Sequence, residues 1–372
     1  FGRIMSKDQE LAKKLLKGKE VFKGKYVERY KVSTGSLQLD IATEGGIGAG
    51  IHRLCGENEG GKTAESLVIL DNFLKSKGTK PRKGIFINAE FRLSKQKRSS
   101  VSFDFVDQSK ITEWNEGSCL ILDTNSYETS ASLTDAMVNE QDFQYCIVID
   151  SLDALIPDGD VNKSFSDSHK VAGGAVIAST LSKRISIPTR KFGHMVIFIS
   201  QVRSKIHQGM GHAPAEQINS TGGNALLHAS DYILEFKAKR NQGNLLKEAD
   251  GMVNLLKNKK FGHMAFAKIC KSENESTGYT VEYPIKYVKN VGRIWVEKEV
   301  FDLMKITGVF EGTTWLSLPE DMDDPIYDFA KKMNVKLEKP IKLQGEKAWV
   351  AHLEENPELT EMFYSYLANL LV

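Results

Sequence analysis

Residues 56–63 have the sequence GENEGGKT and fit the pattern G-x-x-x-x-G-K-[ST] at every fixed position. An apolar run at residues 51–55 precedes this segment, and residues 63–77 follow it with apolar side chains at helical spacing. Glycines let the backbone curl so that successive N–H groups point at phosphate oxygens, and a helix N-terminus adds partial positive charge. The sequence therefore predicts a phosphate-binding loop between a strand and a helix. This context disfavours the alternative, a glycine-rich turn without a ligand.

The chemistry of such a loop assigns roles to its residues. Lys62 would bridge the β- and γ-phosphates of a nucleotide, and the Thr63 hydroxyl would coordinate Mg²⁺. Glu57 and Glu59 place carboxylates in a loop that binds anions, which costs little if they point to solvent and weakens nucleotide binding if they do not. The predicted nucleotide-binding residues of this segment are Gly56, Glu57, Asn58, Glu59, Gly60, Gly61, Lys62, Thr63 and Ala64.

A second apolar run, at residues 145–150, ends in an acid and is followed by Ser151. Asp150, at the carboxyl end of a buried strand, would hold Mg²⁺ through water, so Thr63 and Asp150 are the predicted metal residues. Many buried strands end in aspartate, and the feature alone is weak. Beside a phosphate-binding loop it indicates an ATP and Mg²⁺ site.

A nucleotide hydrolase also needs a residue that orients or deprotonates the attacking water. Glu90 follows the apolar run at residues 84–88, so it should lie at the same edge of the sheet as the loop and Asp150. The alternative is a glutamate that caps a helix or lies on the surface.

Short apolar runs without polar alternation recur along the chain, which is typical of strands buried on both faces. They alternate with helical stretches, so we predict an α/β fold with a mostly parallel sheet flanked by helices. The runs lie at residues 51–55, 84–88, 119–122, 145–150, 194–200 and 232–236, and closer-spaced runs at 252–256, 264–269 and 280–287 predict antiparallel strands at one edge. Residues 7–23 predict an amphipathic helix, and residues 357–371 predict a C-terminal helix.

Composition is that of an ordinary globular protein, with 41% hydrophobic and 26% charged residues. No stretch reaches the ~18 uninterrupted apolar residues of a membrane-spanning helix. Four cysteines without a CxxC pair, and a lysine-rich start without a secretory pattern, favour reduced thiols and a cytoplasmic location. The net charge of +2 hides a basic beginning and an acidic end, which indicate either head-to-tail electrostatic contacts or a polyanionic partner. The alternative is that these charges lie on solvated helix faces.

Several motifs, in order, resemble those of the RecA recombinase family, bacterial RecA and the phage UvsX-like proteins included. After the opening segment STGSLQLDIA at residues 33–42, the phosphate-binding loop is followed by INAE (87–90), VIDS (148–151), DSH (167–169), ISQVR (199–203), TGGNAL (221–226) and KNK (257–259). Residues 349–359 resemble the RecA C-terminal domain. The resemblance implies a RecA-type ATPase core at residues 34–289, an N-terminal helical oligomerisation arm at 1–33 and a small α/β C-terminal domain at 290–372.

The resemblance also implies roles for single residues. Glu90 and Lys62 match catalytic residues, and Gln201 matches the residue that senses the γ-phosphate. Lys257 and Lys259 match lysines that reach the nucleotide of the adjacent subunit. From the residues alone, the KNKK segment could equally be a solvated basic turn.

Two loops would bind DNA in a protein of this family. Residues 158–165 form the first, and residues 203–220 form the second, whose basic and glycine residues suit contacts to a single-stranded backbone. The alternative is a disordered surface loop. The predicted DNA-binding residues are Arg203, Lys205, Ile206, His207, Met210, Gly222, Gly223 and Asn224.

The chain departs from the family pattern at several places. Asn88 replaces the usual Asp before Ala89-Glu90, residues 91–97 lack the Asp, Pro and Tyr that frame adenine, and His228 lies where a Phe is usual. The implied function is a DNA-dependent ATPase that forms homo-oligomeric helical filaments on single-stranded DNA and pairs it with homologous double-stranded DNA. A hexameric helicase of the same superfamily and a non-catalytic DNA-binding paralogue are the alternatives.

Overall fold

A computed structural model describes residues 30–57, 60–161, 173–201, 223–237, 242–249, 251–254, 256–288 and 291–371. The helix predicted at residues 7–23 lies outside this part of the chain. Within the described ranges, short 3₁₀ helices occur at Gln108–Glu113, Leu152–Ala154 and Gln242–Asn244. The strands are β1 Lys31–Val32, β2 Ile47–Gly48, β3 Gly50–Gly56, β4 Arg82–Asn88, β5 Phe105–Asp107, β6 Cys119–Leu122, β7 Gln144–Asp150, β8 Met195–Gln201, β9 Tyr232–Phe236, β10 Leu245–Lys247, β11 Lys260–Lys271, β12 Thr280–Val288, β13 Val291–Ile294, β14 Trp315–Ser317 and β15 Lys342–Gln344. The helices are α1 Leu37–Ala42, α2 Lys62–Lys75, α3 Lys95–Arg98, α4 Tyr127–Asn139, α5 Asp158–Val161, α6 Gly173–Phe192, α7 Gly223–Ala229, α8 Val296–Ile306, α9 Pro325–Lys332, α10 Gly345–Glu355 and α11 Pro357–Leu371.

One large sheet organises the fold, with the strand order β13-β12-β11-β9-β3-β8-β7-β4-β6-β5 and with β10 paired to β11. From β9 to β5 every neighbouring pair is parallel, whereas β11, β12 and β13 are antiparallel to their neighbours. The central strands are buried and mostly apolar because helices cover both faces, although β3 also buries His52 and Arg53. The predicted α/β fold, with a mostly parallel sheet closed by antiparallel strands at one edge, is confirmed.

The prediction of a strand at residues 252–256 is wrong. Its described residues form a turn in which the backbones of Asn254 and Asn258 pair with each other. The Asn254 side chain closes the turn by accepting from the backbone N of Leu256 and of Lys257. Met252 is 79% exposed and Leu256 is 85% exposed, so these side chains have no apolar layer to bury them. A short apolar segment forms a strand only where a neighbouring strand is available to pair with it.

Helix α2 follows the phosphate-binding segment, as the sequence predicts, and runs along the sheet. Its residues Leu67, Leu70 and Phe73 are buried in the core formed with the strands. The helix ends at Lys75 rather than at the predicted Lys77. No helix in the described ranges is long and apolar enough to cross a membrane.

A second apolar cluster, which contains Trp349 and Phe363, is built from helices α8 to α11 and the small β14–β15 sheet. The predicted C-terminal helix at 357–371 is present as α11. The main sheet continues to Ile294, and the division between core and C-terminal domain at residue 290 stays a prediction.

A polar contact joins this cluster to the core. Glu299 is buried and its carboxylate accepts from the Ser36 hydroxyl at 2.6 Å and from the backbone N of Leu37 and of Gln38 at 2.9 Å each. The side chain therefore satisfies N–H groups at the start of α1. The cluster is thereby anchored to the first helix of the core.

Candidate nucleotide-binding site

The carboxyl ends of four neighbouring parallel strands form the site. Gly56 ends β3 opposite Gln201 of β8, and Asn88 ends β4 opposite Asp150 of β7. Parallel strands end at the same edge of the sheet, where ligands bind in open α/β folds. A cleft of about 800 Å³ opens at this edge. Its polar lining includes Gly60, Gly61, Lys62, Thr63, Glu90, Arg92, Lys97, Asp150, Ser151 and Gln201.

The loop between β3 and α2 has the conformation that its glycines permit. Gly56 has φ +135°, and a Cβ added there would lie 2.0 Å from the carbonyl oxygen of Phe236. Gly61, with φ +100°, is the residue before the first turn of α2. The loop therefore approaches the neighbouring strand so closely that no side chain fits at Gly56.

Lys62 folds back over this loop. Its Nζ donates to the carbonyl oxygen of Gly56 at 3.0 Å and to that of Glu57 at 2.6 Å. Burial lowers the pKa of the lysine, and the nearby Asp150 carboxylate opposes that shift. The ammonium group thus stands within the loop with two carbonyl contacts, which phosphate oxygens could replace.

Thr63 and Asp150 meet across the cleft. The Thr63 hydroxyl donates to an Asp150 carboxylate oxygen at 2.8 Å. Burial raises the pKa of Asp150, while the hydrogen bond from Thr63 opposes the rise. Mg²⁺ is bound through hard oxygen ligands and takes only one or two of them from protein. A hydroxyl and a carboxylate in contact beside a phosphate-binding loop fit that requirement.

Glu90 lies at the rim of the same cleft. The Ser151 hydroxyl donates to its carboxylate at 2.6 Å, and the exposed guanidinium of Arg92 lies 3.3 Å from the other oxygen. The backbone N of Glu90 donates to the carbonyl oxygen of Asp150 at 3.3 Å. The next helix begins five residues later, where Ser94 is the capping residue. Glu90 is thus placed beside the Asp150 strand end.

Gln201 is the last residue of β8 and lines the cleft next to the loop. Its backbone N donates to the carboxylate of Asp153 at 2.6 Å. Asp153 lies in the 3₁₀ helix Leu152–Ala154 that follows the Asp150 strand. Sequence reasoning missed this aspartate because its partner is 48 residues away, and no local pattern marks such a contact.

The other predicted site residues divide into three groups. Ala64 lines the cleft and Glu57 is exposed. Lys257 and Lys259 lie in or next to the turn before β11 and do not line the cleft in this single chain. Gly223 and Asn224 begin α7, while Asn58, Glu59, Arg203, Lys205, Ile206, His207, Met210 and Gly222 lie outside the described residues. Of the first predicted DNA loop, residues 158–161 form α5 and residues 162–165 lie outside the described residues.

Glu65 is a cleft residue that the sequence did not single out. It is buried on α2, and one carboxylate oxygen accepts from the Tyr283 hydroxyl at 3.0 Å. The other oxygen has no hydrogen-bond partner among the described residues. Burial raises the pKa of this carboxyl to about 8. From the sequence alone, Glu65 is expected on the exposed face of an amphipathic helix. In the structure, the antiparallel strand β12, which contains Tyr283, covers it.

Strand, glycine loop, helix and strand-terminal aspartate together define a P-loop nucleotide-binding domain of the RecA type. Residues 9–269 match the RecA N-terminal domain family. The chain therefore belongs to the RecA family.

Individual RecA proteins match over most of the chain. The identity to protein RecA of Bordetella avium (strain 197N) is 29% over 289 residues, which is 77% of this chain and 72% of that protein. Protein RecA of Nostoc sp. (strain PCC 7120) is 26% identical over 332 residues, 89% of this chain and 78% of that protein. Protein RecA of Rhodospirillum centenum is 28% identical over 293 residues, which is 78% of this chain and 72% of that protein. The chain is thus a diverged member of the family.

Proposed function

We propose that this chain is a DNA-dependent ATPase that assembles as a helical filament on single-stranded DNA and pairs it with a homologous duplex. The contact between Thr63 and Asp150 at 2.8 Å, beside the loop that holds Lys62, is the observation that carries the proposal. It is supported by the position of Gln201 on the neighbouring strand end. Membership of the RecA family supports the same function.

In the proposed reaction, the loop N–H groups and Lys62 bind the β- and γ-phosphates of ATP. Thr63 and Asp150 would hold Mg²⁺, which neutralises charge on the phosphate oxygens. Glu90 accepts a proton from the attacking water, and Ser151 keeps one oxygen of that carboxylate oriented by its 2.6 Å hydrogen bond. The other oxygen, which lies 3.3 Å from the exposed guanidinium of Arg92, would accept the proton.

Gln201 links the nucleotide to DNA in this scheme. A neutral amide donates to the γ-phosphate without adding charge, and the predicted DNA loop at residues 203–220 follows directly along the chain. Lys257 and Lys259 of the adjacent subunit would supply positive charge to the same phosphates, so the site is complete only between subunits. Loss of the γ-phosphate then releases DNA, and hydrolysis acts as a switch.

The test combines turnover with electron microscopy. We expect single-stranded DNA to stimulate ATP hydrolysis by the full chain, and Glu90→Gln to lower kcat by about 10²- to 10⁴-fold, the usual contribution of a general base. Glu116→Gln, the same change at an exposed position, is the control and should keep full turnover. With a non-hydrolysable ATP analogue, helical filaments are expected on single-stranded DNA. Wild-type turnover no higher than that of Glu90→Gln would contradict the proposal. Closed rings of six subunits in place of filaments would also contradict it.

A further inference from the structure

The turn that carries Glu90 is held by side-chain and backbone contacts of Asn88. The backbone carbonyl of Asn88 accepts from the N of Phe91 at 3.2 Å, and its side-chain Oδ1 accepts from the N of Arg92, also at 3.2 Å. Phe91 has a left-handed φ of +55° and is 74% exposed, so its own side chain contributes little packing to the turn. A non-glycine residue in this conformation persists only where its surroundings hold it there. Asn88 supplies that support.

The other end of the Asn88 amide faces a carboxylate. Its Nδ2 donates to Asp123 Oδ1 at 2.7 Å, just beyond the end of the neighbouring strand β6. Asn88 is buried, with 4% of its surface exposed. Its two partners fix the orientation of the amide, because Asp123 needs a donor and the backbone N of Arg92 needs an acceptor. An ionised aspartate at position 88 could accept from Arg92 but could not donate to Asp123.

We propose that Asn88 and Asp123 form a polar pair that positions the Glu90 turn, and that the pair needs a donor on one side chain and an acceptor on the other, as one amide and one carboxylate supply. The inference rests on the proposed ATPase function, since Glu90 is there the residue that activates water. Asn88 is a positioning residue, because it touches the turn and not the reacting atoms. The pair connects the carboxyl ends of β4 and β6 to each other. Through Asn88 it also holds the turn that carries Glu90, which lines the cleft.

Four chains test the pair: wild type, Asn88→Asp, Asp123→Asn and the double variant that exchanges the two side chains. Asn88→Asp places two carboxylates in contact, which disfavours their joint ionisation. We expect kcat with single-stranded DNA to fall by about 10- to 100-fold with little change in KM for ATP, as for a misplaced catalytic group.

The double variant restores the pairing with the two groups exchanged. The amide introduced at position 123 can donate to the carboxylate introduced at position 88. That carboxylate can still accept from the backbone N of Arg92, so the turn keeps its support. We therefore expect kcat to return to within about threefold of wild type, because the two substitutions compensate each other.

The pH profile separates positioning from a general loss of stability. In Asn88→Asp, a proton taken up by the carboxylate pair restores a donor, so kcat relative to wild type should rise as the pH falls from about 8 toward about 5.5. The double variant should show no such rise. Asp142→Asn, which removes an exposed carboxylate on the loop before β7, is the control and should follow wild type throughout.

Separate outcomes contradict separate claims. A wild-type chain without DNA-stimulated turnover contradicts the proposed function itself. Wild-type turnover together with an unchanged kcat in Asn88→Asp, even with a lowered Tm, contradicts only the positioning role. A double variant no better than the worse single variant overturns the requirement for a donor on one side chain and an acceptor on the other.

Discussion

The backbone N of Gln201 donates to the carboxylate of Asp153 at 2.6 Å, and this hydrogen bond ties the end of β8 to the segment that follows Asp150. Arg53 is buried beneath the same region and donates from its Nε to the Ser200 hydroxyl at 3.0 Å. Burial lowers the pKa of Arg53, and the charge of Asp153 opposes that shift. Polar contacts of Asp153 and of the buried Arg53 therefore position the end of β8, where Gln201 is the proposed γ-phosphate contact.

Asp153→Ala should weaken the communication between nucleotide and DNA. The substitution removes the acceptor for the backbone N of Gln201, so the end of β8, which precedes the predicted DNA loop in sequence, loses this contact. We expect the ratio of ATPase rates with and without single-stranded DNA to fall about fivefold or more, the lower end of ordinary coupling between sites. Asp153→Asn keeps an acceptor and should retain more of the stimulation. An unchanged ratio in Asp153→Ala would show that this contact has no part in coupling.

Thr63→Val should shift the pH dependence of turnover. Burial raises the pKa of Asp150 and the Thr63 hydroxyl opposes the rise, so loss of the hydroxyl raises that pKa further. In the proposed site Asp150 would have to be ionised to hold Mg²⁺, and the acidic limb of kcat/KM should therefore move to higher pH, with a higher Mg²⁺ requirement. Thr63→Ser keeps the hydroxyl and is the matched control. Equal acidic limbs in the two variants would argue against the assigned role.

Gly56→Ala should destabilise the fold, because an added Cβ would meet the carbonyl oxygen of Phe236 at 2.0 Å in a backbone with positive φ. Strain of this kind costs about 1–3 kcal/mol. Gly117→Ala is the control, since Gly117 also has positive φ (+77°) but nothing lies within 4 Å of the added carbon. Denaturant unfolding measures both, and we expect the larger loss at position 56. Equal losses would mean that the contact with Phe236 can relax freely.

The contribution of Glu299 and Glu65 to stability should fall as the pH rises from about 4.5 to 8. Burial raises the pKa of Glu299 to about 7 and that of Glu65 to about 8, so the folded chain binds more protons than the unfolded chain in this window. The cost of burying these two charges reaches its full value above the pKa values of the folded chain. It vanishes below the pKa values of the unfolded chain. Glu65→Gln keeps an acceptor for Tyr283 without a charge, and it should raise the free energy of unfolding at about pH 8.5 by on the order of 1 kcal/mol or more.

The free energy of unfolding, measured at about pH 5 and at about pH 8.5, tests the prediction for Glu65→Gln. The gain from Glu65→Gln should appear at the higher pH and shrink toward the lower one. The exposed Glu116→Gln variant should keep the slope of the wild type. A gain of the same size at both values would indicate a packing effect rather than the cost of a buried charge.

Local patterns predicted the central part of this structure. The runs that became β4 and β7 are long enough and apolar enough to need two covering layers, and the glycine loop after β3 has few conformations open to it. Parallel order then brings Gly56, Asp150 and Gln201 to one edge, because the strand ends of a parallel sheet coincide. Those inferences depend only on neighbours in sequence and on the geometry of strands.

Other contacts depend on which distant residues the tertiary structure brings together. The segment at 252–256 has the composition of a strand but finds no partner strand among the described residues, and Met252 and Leu256 stay exposed. Glu65 reads as a surface residue until Tyr283 covers it, and Asn88 reads as a departure from a motif until Asp123 lies opposite its amide. Burial and hydrogen bonding are properties of the assembled chain, so the sequence by itself determined the elements and the site's location, whereas the protonation and orientation of its side chains were decided only by the fold.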